Sequence, residues 1–528
     1  MTGPLQPMQA VPPRTPLIGL SRRRLLGSSL AAGTIACPAG IVRGQPPAFA
    51  SDPFTLGVAS GSPREESVVL WTRLAPRPLE GGGMPDSPVA VDWQIAEDEK
   101  FARVVAQATV QATPAEGHSV HAEARGLRPG RHYWYRFRAG NALSPIGRTR
   151  TAPAAGGTSP FRFAFASCAQ YEQGYFAAYR DMANRDLDLV VHLGDYIYEK
   201  SWGSRLVRQH AVGIPTTLSE FRDRYALYKL DPDLQAAHAA VPWLATWDDH
   251  EVADDYANDR SYTTRDPAQF MKMRAAAYQA YYEHLPLPAS ARPRGPFATI
   301  YERYRFGDVL DVMLLDDRQY RSPPACVGDA RPGTVADCPE RTLEARSMLG
   351  SQQEQWLDRQ IASAKARWTI VAQQTLMAEL DRPNEGGHRF WMDGWDGYPN
   401  ARRRLLESIA SHKPRNPVVI GGDRHAFFVA DLKRDFARAG DPVVASEFVG
   451  TSITSQGPSA ASMQQALKAN PQLKYGRGDK RGYATVELTA ARCTVGFEAL
   501  DDEKLKDSAV RRLATFVVED GVTGAKPA

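Results

Sequence analysis

Between residues 54 and 150 apolar and polar positions alternate over short runs, "SVVLWTRLA", "VAVDWQIAED", "HSVHAEA" and "RHYWYRFRAG", parted by turn-forming stretches such as "RPLEGGGMPDSP" and "LRPGR". Alternation gives each strand one polar and one buried face, so the region is expected to form a small β-sandwich of fibronectin or immunoglobulin type. "GLRPGRHYWYRF" carries the pattern of a tyrosine corner in such a sandwich. "TAPAAGGTSP" at residues 151–160 then reads as a linker.

Beyond it the period changes. Strand-length runs that are apolar on both faces alternate with helical stretches such as "QGYFAAYRDMANRD", "DPAQFMKMRAAAYQAYYEHLP" and "GSQQEQWLDRQIASAKA". Strands of that kind belong to a sheet covered by helices, so the second region is expected to be an α/β domain. Helices between residues 201 and 301 are expected to cover one face. "DDEKLKDSAVRRLATFVVEDG" at 501–521 reads as a C-terminal helix with an apolar stripe. The predicted division is a leader at 1–50, a sandwich at 51–152 and a catalytic domain at 160–518.

Length agrees, because 528 residues exceed one ordinary core. The net charge of +4 is deceptive: residues 1–50 hold five arginines and no acid, and removing them takes +4 to −1. No broad nucleic-acid-binding surface is therefore expected. The leader contains "SRRRLLGSSLAAGTIA", charged and then weakly apolar, with "AFA" before Ser51 as a cleavage pattern. Its apolar run is too short to span a bilayer stably, and Arg22 and Arg23 fit a twin-arginine export signal that delivers folded protein to the periplasm or beyond. A disordered basic tail and lipidation at Cys37 are the alternatives. Of the cysteines beyond the leader, Cys326 and Cys338 flank "CVGDARPGTVADC" and are expected to pair in an oxidising compartment.

The chemistry collects where apolar runs end. "FRFAFAS" ends at Cys168, "DLVVHLG" at Asp195, "VPWLATW" at Asp248, Asp249 and His250, and "NPVVIGG" at Asp423 and His425. "VLDVMLL" and "RWTIVA" end at Asp316, Asp317, Gln373 and Gln374, of which Asp317 and Gln374 are candidates for an outer supporting role. Ligands gather at the carboxyl ends of strands in α/β sheets, and converging buried carboxylates repel unless a cation compensates. Oxygen donors with one or two imidazoles suit calcium, magnesium, manganese or Fe(III). The phenol of Tyr198, three residues after Asp195, ligates well only to a strong Lewis acid, and a Cys168 thiolate beside it favours iron. Taken singly, each residue has a plainer reading: Cys168 as a small apolar residue, Tyr198 as packing, His250 as a cap or core residue, and the carboxylates as partners of Arg318 or Arg424. Asp254, Asp255, Asn258 and Asp259 fit the start of a solvated acidic helix.

"FASC", "HLGDYIYE", "WDDHEVADDYAND" and "GGDRH", in this order behind "DPFTLGVASGSP" and with "EFVGTSITSQG" near Glu447, resemble the PhoD-type alkaline phosphatases of the calcineurin-like metallophosphoesterase superfamily. The resemblance implies a four-layer αββα core that holds Fe(III) and Ca(II). It implies hydrolysis of small phosphomonoesters or phosphodiesters through attack by metal-activated water or oxide. By motif position Cys168, Asp195 and Tyr198 would bind iron, with Asp195 bridging to calcium. Asp249, Asp423 and His425 would complete the metal set, and His250 would stabilise or protonate the leaving group. The common DxH motif of the first strand is absent, "FASC" standing in its place. By analogy, the C-terminal helix would narrow the mouth of the site. A phospholipase-D-like phosphodiesterase and a non-catalytic secreted binding protein are the competing readings.

Overall fold

The computed structural model describes residues 49–156 and 160–528. The leader, its twin arginines and Cys37 lie outside them, save Phe49 and Ala50. Two mixed sheets stack face to face. In the ten-stranded sheet Phe161–Ala166, Leu189–Leu193 and Trp243–Thr246 are parallel neighbours. In the seven-stranded sheet Leu310–Leu314, Trp368–Ala372, Pro417–Gly421 and Val443–Val449 are parallel in that order. All six apolar runs that end in candidate residues are therefore central strands, three in each sheet.

Their inward faces meet in one core that includes Phe163, Phe165, Val191, Leu314, Trp368, Ile370 and Ile420. Burying each large apolar side chain stabilises the fold by roughly 1.5–3 kcal/mol. The outer face of the ten-stranded sheet is covered by the helices Ala177–Ala183, Leu218–Lys229, Pro232–Ala240 and Pro267–His284. Gly350–Ala362, Pro399–His412 and Ala460–Ala469 cover the other sheet, giving an αββα stack. Pro267–His284 begins where the Asp266 side chain accepts from the Ala268 N–H at 3.0 Å, and it buries Phe270, Met273, Ala277, Tyr278 and Tyr281 at helical spacing.

The N-terminal strands alternate as their sequences predict; Val89, Val91 and Trp93 point inward while Ala90 and Asp92 are exposed. The Tyr133 hydroxyl accepts from the Arg128 N–H at 2.8 Å, which is the corner expected of "GLRPGRHYWYRF". One sheet of this sandwich holds Val104–Ala112, Val89–Ala96 and His132–Ala139. The other does not stand alone. Val58–Gly61, Ser67–Arg73 and Ser119–Arg125 are the last three strands of the ten-stranded sheet, joined where Gly61 pairs with Trp243. Strand sequences give no hint of such a junction, because pairing across distant segments leaves no local pattern.

The C-terminal helix is not formed. Val510–Glu519 is a strand, antiparallel to Arg492–Leu500 and to Lys526–Pro527 at the edge of the ten-stranded sheet. In "RRLATFVVE" the residues Thr515, Val517 and Val518 are β-branched, while Phe516 and Val518 are buried two apart, a period that belongs to a strand. The narrowing of the site by a helix in this segment falls with it. Cys326 and Cys338 are disulfide-bonded, whereas Cys168 and Cys493 are buried thiols.

Candidate active site

The carboxyl ends of the central strands from both sheets meet, and two glycines let them. Gly194, at φ 101°, lies so close to Asp248 that a Cβ would overlap it, and a Cβ on Gly422 would overlap the Ser167 side chain. Around them Cys168, Asp195, Asp423 and His425 take φ of 60°, 55°, 59° and 52°. Non-glycine residues rarely adopt the left-handed region, and such strain concentrates at functional sites.

Asp195 is at the centre. Its Oδ2 accepts from the Tyr198 hydroxyl at 2.8 Å, and Oδ1 lies 3.4 Å from the His250 amide. The Tyr198 oxygen receives the Ser455 hydroxyl at 2.8 Å and lies 3.2 Å from His425 Nε2. His425 Nδ1 donates to the Gln456 carbonyl at 2.8 Å, which turns the Nε2 lone pair to the site. Cys168, Asp195 and His425 bring donor atoms within 4.8 Å of one another, and so do Asp195, Asp249 and His250. Asp195 belongs to both groups. Asp423 lines the same cleft but is in neither group; its Oδ2 accepts from Thr375 Oγ1 at 2.6 Å.

Burial pushes the carboxyl of Asp195 well above the usual range, with Asp249 and Asp248 adding to it against His250. Burial and the charge of Asp195 do the same to the Cys168 thiol and the Tyr198 phenol. Three acids whose ionised forms are disfavoured by burial in one place would all gain from a cation beside them, so the donor set fits metal. Burial also lowers His425, to about 3, leaving its imidazole neutral, as a ligand requires. At Asp249 burial opposes ionisation, but Arg318 and His250 outweigh it and hold the carboxyl below its usual range.

His250 Nδ1 meets Glu199 Oε2 at 2.6 Å, and its Nε2 lies 3.6 Å from Asp254 Oδ1. Burial works against its protonation, yet Glu199, Asp249 and Asp195 together raise it well above the ordinary histidine value. Those carboxylates favour the charged ring, which lies tilted at 32° against Tyr198 with the ring centroids 4.1 Å apart.

Asp254 and Asp255 depart from expectation. They are buried in a turn, not exposed at a helix start, and with Asp249 they form a third group of donors. Lys200 pairs with Asp254 at 2.6 Å and Arg331 with Asp255 at 2.8 Å. Arg318, fully buried, answers Asp248, Asp249 and Asp393, so the salt-bridge reading holds for Asp248 and in part for Asp249. Asp317 and Gln374 brace the strand ends; Gln374 Nε2 donates to the Trp247 carbonyl at 2.8 Å. Glu447 accepts from the amides of Met377 and Ala378, away from the cleft.

Glu199 and Glu251 escape a reading of the sequence, though each sits inside a motif of the site. Glu251 accepts from the amides of Asp195, Tyr196 and Asp248 at 3.2, 2.6 and 2.8 Å, tying two ligand loops together. Trp202, stacked on His425 at 5.7 Å, leaves no signal at all. The resulting cleft, about 350 Å³, is also lined by Arg331, Arg382, Trp391 and Arg424.

Stacked sheets whose strand ends converge on carboxylates, imidazoles and a thiol define a metallophosphoesterase. The PhoD-like phosphatase model matches residues 163–497, and the model of the N-terminal domain of those phosphatases matches 41–153. The chain belongs to the PhoD-like phosphatases and is a phosphoric ester hydrolase. It is 44% identical over 490 residues to alkaline phosphatase D of Bacillus subtilis (strain 168), covering 91% of this chain and 83% of that one. The solved structure of PhoD superposes with a TM-score of 0.88 at 43% identity, over 91% of this chain and 93% of that one. A purple acid phosphatase from yellow lupin (Lupinus luteus) shares the fold alone, with a TM-score of 0.52 at 11% identity over 88% and 74% of the two chains.

Proposed function

We propose that the chain is an exported alkaline phosphatase and phosphodiesterase acting on small phosphate esters, with Fe(III) held by Cys168, Asp195, Tyr198 and His425 and Ca(II) by Asp195, Asp249 and Asp423. The observation that carries the reading is the place of Asp195, whose carboxylate lies within 4.8 Å of donor atoms of Cys168 and His425 in one group and of Asp249 in another. Bound there, the cations would neutralise the phosphate and lower the pKa of a water molecule. The chain's own residues do the rest. Glu251 holds the two ligand loops in register. Glu199 fixes the His250 ring through Nδ1 and keeps it protonated, so that His250 can pass a proton to the departing alcohol oxygen. Ser455 and Asp195 hold the Tyr198 hydroxyl, and the indole of Trp202 shields His425.

Export through the twin-arginine machinery is supported by Arg22 and Arg23 ahead of a short apolar run, and an oxidising destination by the Cys326–Cys338 bond. No helix among the described residues is long and apolar enough to cross a membrane. Elemental analysis of protein isolated from its native host, beside hydrolysis of nitrophenyl phosphate with and without a chelator, tests the reading. It predicts iron and calcium and activity lost on chelation; a metal-free, fully active enzyme would refute it.

A further inference from the structure

The active-site cleft does not end at the metal donors. Arg382, Arg424 and Pro458 line both it and a second cavity of about 710 Å³. That cavity runs between the helix Ala460–Ala469 and the loop at 380–384, with apolar walls from Leu380, Phe428, Met463 and Ala466. Its charge is one-sided. Arg382, Arg424 and Lys468 face one acid, Asp381, whose two oxygens are taken by His388 Nδ1 and the Arg389 amide.

Neither arginine at the junction has a carboxylate partner among the described residues, although Arg318, Arg321, Arg331, Arg341 and Arg402 nearby all have one. Arg424 is held instead by stacking 4.0 Å over Trp391, and Arg382 by a 3.3 Å bond from Nη1 to Thr334 Oγ1. The charge of Arg424 acts against that of Arg382 strongly enough, with burial, to lower Arg382 to about 10. Asp396 acts on Arg382 and Asp423 on Arg424 through their charge, but neither forms an ion pair with them, and two guanidiniums lining one junction without a paired carboxylate suit an anion.

We propose that the junction of the two cavities is a second phosphate subsite, so that the preferred substrates are small phosphoesters whose leaving group carries another phosphate on a partly apolar body. This rests on the phosphatase reading above. Water adds at the phosphorus over the metal donors, the P–O bond to the alcohol breaks, and the alcohol, receiving one proton, leaves with its second phosphate on Arg382 and Arg424.

Initial rates of phosphate release from adenosine 3′,5′-bisphosphate, 5′-AMP and 3′-AMP test it. The bisphosphate is expected to exceed the better monophosphate by about 10-fold in kcat/KM, through KM, as charge-assisted hydrogen bonds allow. Arg382→Gln should raise KM for the bisphosphate by about 10-fold more than for either monophosphate, and Arg382→Lys should restore part of the preference. Equal constants for the three substrates in the wild type, or an equal rise in KM for all three in Arg382→Gln, overturns the subsite; the latter would place Arg382 on the scissile phosphate. Absence of hydrolysis of every ester would instead overturn the phosphatase reading.

Discussion

Glu199→Gln leaves the shape of the site unchanged and removes one charge from the pair it forms with His250 at 2.6 Å. Both side chains are buried, so a charge-assisted bond between them is worth about 1.5–3 kcal/mol, or roughly 10- to 100-fold in any step that needs the imidazolium. The sign is set by the carboxylate: it favours the charged ring, so its loss lets His250 deprotonate at lower pH, and the alkaline limb of kcat/KM moves down. The assay compares nitrophenyl phosphate, whose phenolate leaves unaided, with glycerol phosphate, whose alkoxide needs a proton. Glu199→Gln should slow the alkyl ester by roughly 10- to 100-fold and the aryl ester little, and His250→Ala should widen the gap toward the roughly 10²- to 10⁴-fold typical of general acid catalysis. An equal loss for both esters would refute proton donation by His250 and leave it a positioning role.

Tyr198→Phe should abolish the visible phenolate-to-iron absorption and leave calcium in place; an unchanged spectrum removes Tyr198 from the iron. Burial raises Glu447 from 4.5 to about 7, so the folded protein keeps a proton that the unfolded chain releases, and stability present at low pH is lost as pH rises through 7. Glu447→Gln should flatten the pH dependence of the unfolding free energy measured in urea between those values by about 3 kcal/mol, and a profile parallel to wild type would contradict the assignment. Replacing Cys326 and Cys338 by Ser opens a loop of 12 residues' separation that carries Arg331, a partner of Asp255. It should cost up to about 3 kcal/mol, read as a lower Tm, and raise KM more than it lowers kcat.

The six apolar runs pointed to the strand ends that meet around the cleft because the rule is local: a strand apolar on both faces is central, and the residues just after it lie at the carboxyl end of the sheet. That reasoning reached Cys168, Asp195, Asp249, His250 and Asp423 without knowledge of which strands pair. It could not reach Glu251, whose role is to bind three amides of two loops brought together only by folding. Nor could it find Arg382, which stands on an exposed loop while its charged head lines the cleft with Arg424. The segment at 510–519 misled because Val510, Leu513 and Val517 stand at helical spacing, while the deciding feature, the partner strand Arg492–Leu500, is tertiary. The left-handed backbone at four of the candidate ligands left only the weak signal that aspartate and histidine tolerate it.

Asp195→Asn tests the centre of the account most directly. The substitution keeps size and polarity but removes the charge shared by the two donor groups. With the far-ultraviolet circular dichroism unchanged, the purified variant should lose both iron and calcium by elemental analysis and lose hydrolysis of nitrophenyl phosphate. A variant that keeps both metals and its activity would contradict the bridging role of Asp195.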